Sequence, residues 1–159
     1  MQSVENYSRS QRSALRYGSA WDNRWTPILS FLFLLFGCSF ITSYDPTSYK
    51  TATDLKAESL LLIEKATDPP STHAAAIESL RLKLRQAYEY EAGKGSANVI
   101  TVKQWKLLYD PAGNLVGGFL KKWETENKGQ SPAFINGAKE LVEEAFNEII
   151  KLENRKVRD

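Results

Sequence analysis

Four times along this chain a good helix-capping residue stands directly before a proline: Asp45-Pro46, Asp68-Pro69, Asp110-Pro111 and Ser131-Pro132. An Asp or Ser side chain can accept a hydrogen bond from one of the free N–H groups of a first helical turn, and proline at the first helical position has no N–H to leave unpaired. Each pair therefore reads as a helix start. Apolar residues follow each start at helical spacing. Leu55, Leu62, Ile63 and Ala66 share a face after the first, and Ile77, Leu80, Leu84, Ala87 and Tyr88 after the second. Leu115, Val116, Phe119, Leu120 and Trp123 follow the third. The fourth stripe is the longest and runs through Phe134, Ala138, Leu141, Val142, Ala145, Phe146, Ile149 and Leu152. A shorter segment, Val102 to Tyr109, adds Trp105 and Leu108.

The stretches "EAGKGSAN" and "ENKGQSP" between these segments are turn-rich. The one strand-like run, "ANVIT", is five residues with no partner, and an unpaired strand does not make a sheet. The expected fold is all-α: a four-helix bundle-like domain with one extra short helix, spanning residues 46–159.

Ahead of it lies a segment of different character. Pro27 to Phe36, "PILSFLFLLF", is uncharged. As a helix it spans about 15 Å, half the roughly 30 Å of a bilayer's hydrocarbon core. Arg9, Arg12, Arg16 and Arg24 precede it against only Glu5 and Asp22. A basic segment, a short apolar core and then small residues form the pattern of a secretory signal. Its end, Leu35, Phe36, Gly37 and then Cys38, resembles the lipobox of bacterial lipoproteins. That resemblance implies cleavage before Cys38, a diacylglycerol on its sulfur and further acylation of the new amino group. Two or more acyl chains anchor a protein stably where one does not. It divides the chain into a signal peptide, 1–37, a lipidated tether, 38–45, and the helical domain. Ser39, directly after the cysteine, resembles the choice seen in outer-membrane lipoproteins. Two other readings stay open: an uncleaved single-pass anchor with residues 1–26 cytoplasmic, or a buried helix in which Cys38 is a small apolar filler.

With one cysteine in 159 residues, an intramolecular disulfide framework and a cysteine-based zinc site are both excluded. Residues 38–159 hold 17 of the 21 basic and 17 of the 19 acidic side chains, so the domain is formally neutral and has no charge excess to attract nucleic acid. The "ENRKVRD" tail is too short and too balanced to be a nucleic-acid arm.

His73 is the single histidine and reads as a surface residue: no second imidazole, no Glu-x-x-His pair and no nucleophile elbow accompany it. Glu140, Glu143, Glu144 and Glu148, interspersed with Lys139 and Lys151, read as a solvated helix face. Gly117-Gly118 interrupts a helical pattern at about 1 kcal/mol per glycine, which suits close approach of a neighbouring helix or a kink. Tyr90, which falls off its helix's apolar face, and Trp123, beside Lys121 and Lys122, are the candidate binding surface for a peptide or glycan. No cofactor and no metal is expected. The functional expectation is a non-enzymatic envelope lipoprotein, tethered through Cys38, facing the periplasm or exterior and contacting an envelope protein or glycan. The alternatives are a single-pass inner-membrane protein whose helical domain scaffolds a complex, and a carboxylate-based hydrolase.

Overall fold

The computed structural model describes residues 43–156, and Leu35, Phe36, Gly37 and Cys38 lie outside them. Five α-helices pack together and no strand occurs among the described residues. They are α1 (Pro46–Glu64), α2 (Ala74–Gly93), α3 (Val99–Tyr109), α4 (Val116–Glu126) and α5 (Pro132–Arg155). Short 3-10 turns at Lys65–Thr67, Pro70–His73 and Ser96–Asn98 join the first three.

Two of the four expected starts are true caps. Asp45 is extended and accepts from the Thr47 N–H at 2.8 Å, with Pro46 opening α1. Ser131 accepts from the Phe134 N–H at 3.3 Å ahead of Pro132.

The other two fail for readable reasons. After Asp68, Pro69 is itself followed by Pro70, and a residue before proline is pushed out of the helical region. Pro69 is accordingly extended, with ψ 141°, and α2 starts only at Ala74. Asp110-Pro111-Ala112-Gly113 closes instead as a turn, with Gly113 N–H donating to the Asp110 carbonyl at 3.0 Å and Ala112 N–H to its carboxylate at 2.8 Å. Asp at the first position, Pro at the second and Gly at the fourth is the signature of a type I turn, so the same dipeptide that starts α1 here ends α3. "ANVIT" is helical: Asn98 closes a 3-10 turn and Val99 opens α3.

Helices α1 and α5 run antiparallel, since Lys56 reaches Glu143 and Asn147 while Glu64, two turns further on, meets Lys139. The start of α1 thus lies beside the end of α5. All four apolar stripes turn inward apart from Leu141 and Leu152: Leu141 is 51% exposed, and Ile135 is buried in the same helix. Trp105 of α3 meets Phe146 of α5 edge-on, ring centroids 5.9 Å apart, among Ile63, Leu84, Leu108 and Ile149. Phe119 stacks on Phe134 at 5.6 Å between α4 and α5.

The Gly117-Gly118 pair is explained by close approach. A Cβ on Gly118 would lie 1.8 Å from the Gly113 carbonyl oxygen, and one on Gly117 2.2 Å from that of Tyr109. The 110–113 turn therefore folds directly onto the first turn of α4. Gly129 does the same for the α4–α5 loop, where Thr67 O would be 2.1 Å from an added Cβ and the Gln130 N–H donates to Ala66 O at 2.7 Å.

Candidate functional site

The most chemically loaded region is a polar cluster at the end of the bundle where α1 begins, α2 meets α3, and α5 finishes. Asp45 takes hydrogen bonds from Thr47 N–H and Tyr90 OH, each 2.8 Å, and an ion pair from Lys94 at 2.8 Å. Lys94 also reaches Ser48 and, at 3.1 Å, Glu91. Glu91 is buried; it accepts from Ser48 and, at 2.6 Å, from Asn98 Nδ2. Asn98 Oδ1 in turn accepts from Lys156 Nζ at 2.9 Å, and Lys156 pairs with Glu153 at 2.6 Å. Thr101 of α3 donates to the same Glu153 oxygen at 3.4 Å, while Glu153 Oε2 has no hydrogen-bond partner among the described residues.

Partial burial works to raise the Asp45 pKa and is outweighed by the bonds from Lys94, Tyr90 and Thr47, which hold its carboxyl well below the usual carboxylate range. Lys94 is pulled down by burial but held up, on balance, by Asp45 and Glu91, so it keeps its proton above the ordinary lysine range. The tyrosine proton is likewise retained, because Tyr90 gives it to Asp45. These groups suit a structural clasp: each buried carboxylate has its own lysine.

Three of the cluster's residues occupy positions where an apolar stripe should continue. Glu91 follows Leu84 and Ala87, Glu153 follows Phe146 and Ile149, and Ser48 precedes Ala52 and Leu55, all at spacings of three or four. Polar residues on a core stripe are the signal by which the cluster could be found. Their partners Lys94 and Asn98 sit in the turn-rich "EAGKGSAN", and Lys156 in the tail, neither of which reads as buried from sequence.

The four candidate binding residues are not brought together. Tyr90, 47% exposed, borders a groove of about 400 Å³ between α1 and α2 that also takes in Asp54, Glu58, Lys83 and Glu91. Trp123 corrects the sequence reading outright: it has no exposed surface, donates from Nε1 to Asp68 O at 3.0 Å and stands 5.8 Å from the His73 ring. That contact is at the start of α2, about 25 Å along the helix from Tyr90. His73 is correspondingly half-buried, bonded to Asp68 at 3.0 Å.

Lys121 and Lys122 are exposed, and Lys122 lines a second groove, about 510 Å³, between α4 and α5. Phe119, Phe134 and Leu141 form its apolar floor and Lys122 Nζ lies 4.0 Å over the Phe134 ring. The acidic set on α5 is exposed: Glu143 pairs with Lys56 and Glu148 with Lys151, and these bonds lower both carboxyl pKa values. Among the described residues no group of three or more His, Cys, Asp or Glu side chains could hold a metal ion, and no helix is long and apolar enough to cross a membrane.

Compared with known proteins, the chain matches no family model, no curated protein and no solved structure at a significant level.

Proposed function

We propose that the chain is a non-enzymatic envelope lipoprotein, a helical domain tethered to a membrane through Cys38 that contacts another envelope component. The observation that carries this reading is the junction at Asp45. Asp45 follows Cys38 by seven residues, at most about 25 Å of extended chain, and is locked to α2 by Tyr90 and Lys94. The tether is short and the fold begins firmly where it ends.

The α4–α5 groove supports the second half of the proposal. It lies around Gly137, about 24 Å along α5 from Glu153, so a partner seated there meets the domain at the end away from the tether. The ion pairs that occupy Glu91, Glu143, Glu148 and Glu153 favour a binding role over hydrolysis by free carboxylates.

Intact mass of the membrane-extracted protein tests the tether. Wild type should lack residues 1–37 and carry added acyl mass, and Cys38→Ala should not. If both chains keep the full leader, the lipoprotein reading fails and the single-pass anchor replaces it.

A further inference from the structure

Helix α3 presents an outer face unlike any other in the domain. Its solvent-facing positions are Val99, Ile100, Lys103, Lys106 and Leu107, and they fall within an arc of about 120° around the axis. Val99 is 47% exposed, Ile100 61% and Leu107 61%. The remaining exposed large apolar residues, Leu61, Leu82, Tyr90 and Leu141, are scattered over α1, α2 and α5, and single exposed apolar side chains need no explanation. Three on one face of an 11-residue helix do.

The charges point the same way. No acidic residue occurs in α3, and neither Lys103 nor Lys106 forms an ion pair with a carboxylate among the described residues. Elsewhere in the domain lysines are mostly spoken for, as at Lys50, Lys56, Lys83, Lys94, Lys139 and Lys151. A formally neutral domain thus carries a local face that is apolar and purely basic. Lys103 stands between Val99 and Leu107 near the middle of this arc and Lys106 at its edge. Lysines whose aliphatic stems lie among apolar side chains while their ammonium groups reach the headgroups suit a helix lying in the interface of an anionic bilayer.

The polar cluster fixes where this face stands. Asn98, the residue just before α3, is bonded to Glu91, which is bonded to Ser48 in the first turn of α1. The start of α3 and the point where the tether reaches the fold are therefore held around one cluster, within reach of the surface that holds Cys38.

We propose that the outer face of α3 docks on the anionic surface of the membrane to which the domain is tethered, fixing its orientation there. This rests on the tether reading and adds the surface and its lipid chemistry. A nitroxide label on Ile100→Cys or Leu107→Cys tests it in the membrane-extracted protein, its Cys38 acylated, reconstituted into vesicles, with labels on Leu61→Cys and Leu82→Cys for comparison. In vesicles containing phosphatidylglycerol, labels at 100 and 107 should be shielded from an aqueous nickel chelate and reached by oxygen, while those at 61 and 82 stay in water. Replacing Lys103 and Lys106 together with Gln should lower the ratio of docked to free orientations about thirtyfold. A chain that floats with the vesicles while labels 100 and 107 remain aqueous overturns the docking and leaves the tether intact. A chain that does not float overturns both. Equal shielding in pure phosphatidylcholine overturns the role of the lysines and of anionic lipid.

Discussion

At the scale of single residues, glycines divide into those fixed by contact and those that are not. Gly117, Gly118 and Gly129 each press their α-carbon against a backbone carbonyl that a methyl group would displace, whereas an added Cβ on Gly137, inside α5, meets nothing within 4 Å. Gly118→Ala should therefore destabilise the domain at the upper end of the roughly 1–3 kcal/mol that overpacking costs, despite the better helix propensity of alanine. Gly137→Ala, with no clash to offset it, should stabilise by about 1 kcal/mol. Urea unfolding of the two variants beside wild type measures both, and a Gly118→Ala midpoint equal to wild type would contradict the close approach of the 110–113 turn.

At the scale of elements, α1 has a start that is cap and ion pair at once, which makes its contribution depend on pH. Asp45→Asn keeps a good N-cap but loses the charge that faces Lys94. The Asp45 pKa is lowered in the fold from its ordinary 3.8. Its stabilisation is thus fully present well above that value and drains away as pH falls through the folded pKa. The variant should unfold at lower urea than wild type at pH 7, and the gap should narrow steadily below about pH 4. A gap that stays constant down to pH 2 would show that the charge contributes nothing.

The helices themselves were legible because their apolar stripes are regular, and their residues reach the core apart from Leu141 and Leu152. Their starts were half legible. An Asp-Pro pair says only that the chain turns in or out of a helix there, and Pro70 and Gly113 decide which. The candidate site was less so. Exposure of Lys121 and Lys122 follows from their charge, but burial of Trp123 depends on α4 packing against the turn at Asp68, a contact 55 residues apart in sequence. The polar cluster escaped notice because its lysines come from loop and tail, where charge is ordinarily taken for solvation.

At the scale of the whole molecule, the cluster joins the two ends of the described chain. Glu153 has no exposed surface and the Lys156 side chain only 3%, so Glu153→Leu leaves a buried ammonium without its carboxylate. Such a loss costs about 3–5 kcal/mol, here towards the lower figure because Lys156 follows the last turn of α5 and can swing outward. The pair replacement Glu153→Leu with Lys156→Met should recover most of it, measured as a double-mutant cycle by denaturant unfolding. Additive losses would mean that the two side chains do not support each other.

Antiparallel α1 and α5 also give the domain a direction of mechanical strength. A pull between Asp45 and Arg155 acts at one end of this helix pair and peels it open a turn at a time. A pull between Asp45 and the α4–α5 groove acts along the helices and loads all of their contacts together. A partner that grips the groove therefore holds the domain by its strong axis.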